Sequence, residues 1–300
     1  MRIVSLIASA TEIVHALGLG PSQVGRSHEC DFPPEVHHLP VCTKPGFSLQ
    51  GTSADIDRRV KEKVATALSV YEVFDDVLES LAPTHIVTQT QCEVCAVSLK
   101  DVERALARSV SSHPMLVSLQ PNALADVWED IQRVANACDV SDRGNALVSE
   151  LQERMQIISC LSKQGRRKRV ACIEWQQPLM AAGNWVPELL ELANAENLFG
   201  AAGAHSPWMD FDQLAAADPD VIVVTPCGYD IKRTREEMYW LTQNPHWKKL
   251  RAEVYLADGN QFMNRPGPRV VESLQIFAEI LHPDLFPPKM QMAGRWERWE

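Results

Sequence analysis

The chain has 300 residues, which is about two domains' worth at the usual domain size. At 45% hydrophobic and 23% charged residues it can bury sizeable cores, which excludes a disordered chain. Its formal charge of −10 excludes the basic footprint of a nucleic-acid or anionic-membrane binder.

The opening MRIVSLIASATEIVHALGLG reads as a buried strand over 2–8, then a helix that opens near Ser9–Thr11 and stops at Gly18. Glu12 and His15 interrupt the apolar run, which a secretory signal needs unbroken over roughly 7–15 residues. The expected location is therefore cytoplasmic, in preference to periplasmic. No stretch approaches the ~18 apolar residues of a membrane span, so no membrane insertion is expected.

Short apolar strands then alternate with helical stretches, the pattern of a parallel α/β sheet. The strand candidates are Ile3–Ala8, Gln23–Arg26 and His85–Gln89 in the first half. In the second half they are Arg169–Glu174, Val221–Thr225 and Val254–Ala257. The phrases SLAPTHIVTQ and AAADPDVIVVTP match in form, so the halves read as two lobes of related design. Between them, Leu124, Val127, Ile131 and Val134 recur at helical spacing behind a capping Asn122. Leu147, Leu151, Met155 and Ile158 mark one face of a second, longer helix. GRRKR reads as a solvated linker. The expected division is an N-terminal α/β lobe over 1–120, connecting helices over 121–165, a C-terminal α/β lobe over 166–285 and a polar tail over 286–300.

Ligands of open α/β sheets bind outside the carboxyl ends of the strands. After the first strand come Ser9 and Thr11 at a helix N-terminus, and after the second comes SHECD, with His28 and Cys30. QTQCEVCAVS follows the third, with Cys92 and Cys95. Glu174 and Trp175 end the fourth, TPCGYD with Cys227 follows the fifth, and DGNQFMNRPGPR follows the sixth. This convergence predicts a cleft between the lobes. Cys92-x-x-Cys95 has the spacing of a redox dithiol and equally of a metal-binding turn. With His28, Cys30 and Cys227 it makes a soft-ligand set suited to Zn, an Fe–S cluster or cobalt. Cys138, Cys160 and Cys172 read as packing residues. Trp175, Trp185, Trp208 and Phe262 fall on strand-end loops and would suit a large flat ligand.

RIVSLIASATEIVHALGLG followed by VGRSHECDFPPEV resembles the opening of the cobalamin-type periplasmic binding-protein family. That family supplies the substrate-binding component of metal-chelate ABC importers and includes haem and siderophore binders. WVPELLELANAENLFG, SPWMDFDQLAAADPDVIVV and RPGPRVVESLQIFAEIL continue the resemblance to about residue 283. It implies two Rossmann-like lobes joined by one long rigid helix, the helical-backbone metal-receptor type of binding-protein fold, with the ligand between the lobes. It implies a corrinoid-lining role for Trp208, an aromatic contact from Phe262, a loop arginine in Arg265 and a cleft-side position for Trp185. The cysteines of HECD, CEVCAVS and PCG depart from the family's typical cobalamin binders and mark a separate, leaderless branch.

The leading expectation is a non-enzymatic binder of cobalamin or a related tetrapyrrole or metal chelate, with an ABC permease as its possible partner. The alternative, from another class, is a cytosolic metalloprotein or thiol enzyme on the same scaffold. There His28, Cys30, Cys92, Cys95 and Cys227 hold Zn or an Fe–S cluster, and Glu174 acts as acid or base.

Overall fold

Ile3, Val4 and Ser5 are buried on both faces of a sheet, as a central parallel strand requires. The computed structural model describes residues 1–65, 71–89, 112–287 and 294–300. Two units divide the chain. The first comprises Met1–Gly51, Asp55–Pro121 and Ala125–Glu150; the second comprises Thr52–Ala54, Asn122–Leu124 and Leu151–Glu300.

The first unit begins with β1 (Ile3–Ser5), α1 (Ala8–Ala16), β2 (Gln23–Arg26) and β3 (Thr43–Pro45). It continues with α2 (Ser53–Ala65), β4 (Tyr71–Val73), α3 (Asp75–Leu81), β5 (His85–Gln89), β6 (Met115–Leu119) and α4 (Leu124–Ala137), the first residues of α2 and α4 (Ser53, Ala54 and Leu124) counting with the second unit. Its main sheet has the order β2-β1-β5-β6, parallel throughout, and β3 pairs antiparallel with β4 in a separate ladder. Parallel neighbours need crossovers rather than hairpins, and α1 supplies the one from β1 to β2. Gly18 ends that crossover at φ +73°, a conformation only glycine adopts cheaply. It lets the Gly18 and Leu19 N–H groups close on the carbonyls of His15 and Val14, both at 2.9 Å. Val4, Leu6, Leu78 and Ile86 form the core beneath.

The long helix α5 (Ser141–Ser162) carries the chain from one unit to the next, the division falling between Glu150 and Leu151. Then follow β7 (Lys168–Trp175), β8 (Met180–Ala181), α6 (Val186–Leu192), β9 (Ala195–Asn197), α7 (Phe211–Ala217) and β10 (Val221–Val224). The rest is α8 (Ile231–Glu236), β11 (Glu253–Ala257), α9 (Val270–Leu281) and β12 (Trp296–Trp299). The sheet order is β12-β11-β10-β7-β8, with β9 also on β7. β10 occupies one edge of β7 over Val170–Ile173. β9 and β8 share the other edge, at Lys168–Val170 and Ile173–Trp175 respectively. Ala171, Ile173, Ile222, Val224 and Leu256 pack with Leu214, Met238 and Leu241 as this unit's core.

The expected helical stripe of Leu124, Val127, Ile131 and Val134 is buried, as are Leu151, Met155 and Ile158. The strand expected over Ile3–Ala8 stops at Ser5, because α1 already begins at Ala8. Sequence reading misses the short strands β3, β4, β8 and β9, and also β6 and β12. β6 lies at a sheet edge with Met115 exposed, which weakens its apolar signature. The segment read as a polar tail forms β12, whose residues alternate too little in polarity to announce a strand. Among the described residues, no helix is long and apolar enough to cross a membrane.

After β11 the chain turns through a single π-helical turn, Gly259–Met263, whose start is fixed by Asp258 accepting the Asn260 and Gln261 N–H groups at 2.9 and 2.7 Å. A Cβ at Gly259 would collide with the carbonyl oxygen of Pro226 and stand 2.8 Å from that of Thr225, both backbone atoms unable to swing aside. Gly259→Ala is therefore expected to cost about 2–3 kcal/mol in urea unfolding. An unchanged midpoint would show that this close approach is not required.

Candidate functional site

The carboxyl end of β7 is where the second unit gathers polar and aromatic side chains. Glu174 and Trp175 stand there because β10 holds the strand as far as Ile173 and β8 holds it to Trp175. The Ser206 hydroxyl lies 3.0 Å from both carboxylate oxygens of Glu174 and accepts the Gly183 N–H at 3.0 Å. With its own proton given to Glu174, Ser206 fixes the rotamer of a half-buried acceptor. Two residues on, the backbone is clamped to β8 and its approach: Ala181 N–H donates to Pro207 O, and Met209 N–H to Leu179 O, both at 3.0 Å. Trp208 between them bridges to Met180 and leaves its side chain outward, with 54% of the residue exposed. It is the one tryptophan among the large exposed apolar residues.

Trp175 is half-buried against Tyr229, ring centroids 5.3 Å apart, and its buried indole nitrogen has no hydrogen-bond partner among the described residues. The Arg233 guanidinium lies 5.0 Å over the Tyr229 ring and donates to Glu237 at 2.8 Å. Glu237 also accepts the Tyr229 hydroxyl at 3.3 Å and the Ser53 N–H at 2.7 Å. Burial, then the Glu237 charge, pushes the Tyr229 phenol up to about 12. Cys227 is half-buried beside them, its N–H on the Glu174 carbonyl at 3.2 Å.

The other aromatic candidates face inward. Trp185 is 5% exposed and its indole N–H donates to Met263 O at 3.2 Å. Phe262 is 3% exposed, with the guanidinium carbons of Arg269 and Arg295 at 5.0 and 4.8 Å from its ring centroid. Arg265, likewise buried, reaches Asn260 Oδ1 at 3.3 Å. Phe262 and Arg265 belong to the loop after β11, and Trp185 bonds to it from the start of α6.

In the first unit, Ser9 and Thr11 are buried at the start of α1. Thr11 Oγ1 lies 2.5 Å from Ser5 Oγ, which accepts from Gln23 Nε2 at 2.7 Å. His28 places Nδ1 2.8 Å from Thr43 Oγ1, its ring 5.3 Å from that of Tyr71, and Nε2 3.9 Å from Glu29. Burial, then the Arg26 charge, pulls its pKa down to about 4, so the ring is neutral at pH 7. The Cys30 thiol is fully buried and pushed up to about 11 by that burial, so it is protonated at pH 7. Cys92 and Cys95 lie outside the described residues. Among the described residues, no group of three or more His, Cys, Asp or Glu is placed to hold a metal ion.

Sequence reading did not find Ser206, Tyr229 or Arg295. Ser206 is 32 residues from the carboxylate it orients. The SPW phrase, with Ser206 two residues before Trp208, is the signal for the first; Tyr229 lies inside the TPCGYD phrase beside Cys227.

The sequence matches the family described as periplasmic binding protein over residues 3–253, and the chain belongs to that family. The vitamin B12-binding protein of Vibrio cholerae serotype O1 is 20% identical over 283 residues, covering 91% of this chain and 86% of the relative. That of Vibrio vulnificus strain CMCP6 is 22% identical, with 93% and 89% covered. Among solved structures, a periplasmic heme binding protein from Pseudomonas aeruginosa matches with TM-score 0.72 at 19% identity, covering all of this chain and 98% of that one. The periplasmic vitamin B12 binding protein BtuF of Vibrio cholerae matches with TM-score 0.63 at 18% identity, covering 93% and 96%. The fold is thus the α/β periplasmic binding-protein type expected from the resemblance.

Membership of a periplasmic binding-protein family overturns the expected cytoplasmic location. The physical reason is plain in β1 and α1. Glu12 and His15, which broke the apolar run, belong to the first helix of the folded domain, so they report on folding and not on sorting.

The buried neutral His28 gives the fold a definite pH response. An imidazole whose pKa is lowered in the folded state destabilises the fold as pH drops below the unfolded value of 6.5, down to the folded value near 4. Stability is expected to fall by about 2 kcal/mol between pH 7 and 5 from this group. In His28→Phe, which keeps a ring but cannot titrate, urea unfolding at the two pH values should show that loss removed. An undiminished loss in His28→Phe would exclude His28 as its source.

Proposed function

We propose that this chain is the substrate-binding component of an ABC importer, working in the periplasm with a membrane permease, and that its ligand is cobalamin. The observation that carries the reading is the exposed Trp208, held by its backbone at the sheet's carboxyl end beside the Glu174–Ser206 pair. An outward ring on a fixed backbone is a stacking platform whose ordering cost is already met in the free protein. The names of the curated relatives support the corrinoid class.

Charge favours cobalamin over haem. A corrin rim carries neutral amides, which can donate to Glu174, whereas a haem carries carboxylates that Glu174 would repel. Trp208 supplies the face contact and Trp175 an edge. Trp185, Phe262 and Arg265 are buried within the same unit and support its packing.

The test is titration of the purified chain with cyanocobalamin and, separately, hemin, followed by absorption spectroscopy and calorimetry. Cyanocobalamin is expected to bind, and Trp208→Ala to weaken it by on the order of 2 kcal/mol. The thermal midpoint should hold, because the lost ring is exposed. Binding of hemin alone would overturn the cobalamin assignment. Cyanocobalamin binding that is unaltered in Trp208→Ala would overturn the platform.

A further inference from the structure

The last strand of the chain is built onto the loop that follows β11. β12 pairs antiparallel with β11 from Val254↔Trp299 to Ala257↔Trp296, and the Asp258 N–H donates to Arg295 O at 3.1 Å. Side chains fasten it in three directions. Glu297 receives Arg235 of α8, with Nε at 2.9 Å from Oε1. Arg298 pairs with Glu253 at 3.1 Å. The Trp296 indole N–H donates at 2.8 Å to Glu279, a fully buried carboxylate of α9 that also accepts from Gln275 at 3.0 Å. A buried carboxyl group is costly unless hydrogen-bonded, and Trp296 supplies one of its bonds.

Arg295, immediately before the strand, puts its guanidinium 4.8 Å from the centroid of Phe262, the ring that Arg269 approaches at 5.0 Å. Phe262 is the buried anchor of the 259–263 turn, and Ser273 Oγ bonds its carbonyl at 3.0 Å from α9. The next residue, Met263, receives the Trp185 indole N–H. These contacts join the end of the chain to the loop and, through Met263, to Trp185 at the start of α6. Both loop and strand lie beyond the stretch matched by the family, which ends at residue 253.

We propose that Arg295 and β12 are a positioning element for the loop over 258–265, fixing it so that the ligand site is organised before ligand arrives. Arg295 touches no ligand in this scheme; it acts through Phe262. The effect on affinity rests on the cobalamin reading given above, whereas the hold on the loop does not.

The experiment uses the full chain with Arg295→Ala and Arg295→Lys, the second keeping a cation over the ring. Three quantities are measured: amide hydrogen exchange of 259–263 and of β7, the thermal midpoint, and cyanocobalamin affinity. In Arg295→Ala, exchange in the turn should quicken and affinity should fall, each about tenfold, with β7 exchange and the midpoint held. Arg295→Lys should recover most of both. Unchanged exchange in 259–263 overturns the proposal. So does a loosened turn with unaltered affinity, or quickening that extends equally into β7. Should the parent chain bind no cyanocobalamin, the function reading falls by itself, and exchange in 259–263 alone decides whether Arg295 holds the loop.

Discussion

The second unit is organised by the fact that a strand has only two edges. β7 spends one on β10 and divides the other between β9 at its beginning and β8 at its end. The division keeps backbone N–H and C=O groups paired along the strand, and so holds Glu174 and Trp175 to the sheet's rim. Ser206 can orient Glu174 because the 204–209 segment is laced to residues 179–184 by three backbone bonds, among them Asn184 N–H to Ala204 O at 2.7 Å. The position of Trp208 follows from the same lacing. Remove the pairing with β8, and the carboxylate, the serine and the indole lose their common frame.

How much of this was legible in the sequence depends on the range of the interaction. Gln23–Arg26 and His85–Gln89 were readable to the residue, because each carries at least one β-branched residue in a short stretch set off by turn signals, Pro21 before the one and Pro83 before the other. The stripes on α4 and α5 were readable because their period is fixed by the helix alone. β12 was not readable, since Trp-Glu-Arg-Trp becomes a strand only by meeting β11 and the carboxylate of Glu279. The aromatic loops were legible as loops, but not in their direction. Trp185 and Trp208 look alike in sequence, yet one gives its N–H to a backbone carbonyl inside the fold and the other faces outward.

The cysteine and histidine chemistry illustrates the same limit. His28 and Cys30 stand at a strand end, as ligand-binding residues do, and sequence spacing says no more. Burial then sets their state. It holds the Cys30 thiol protonated and the His28 imidazole neutral, with Nδ1 engaged by Thr43. A thiol that stays protonated is a poor nucleophile and must lose its proton before it can ligate a metal. Residues whose types suit a soft metal site are, in the folded first unit, a buried protonated thiol and a neutral imidazole held by Thr43.

The scaffold around residue 208 has an evolutionary corollary. Its position is dictated by peptide groups on either side, Pro207 O and Met209 N–H, neither of which depends on the side chain carried between them. Substitution at that one codon therefore leaves the local backbone frame in place, so the chemistry of this exposed point of the surface is free to change without passing through misfolded intermediates.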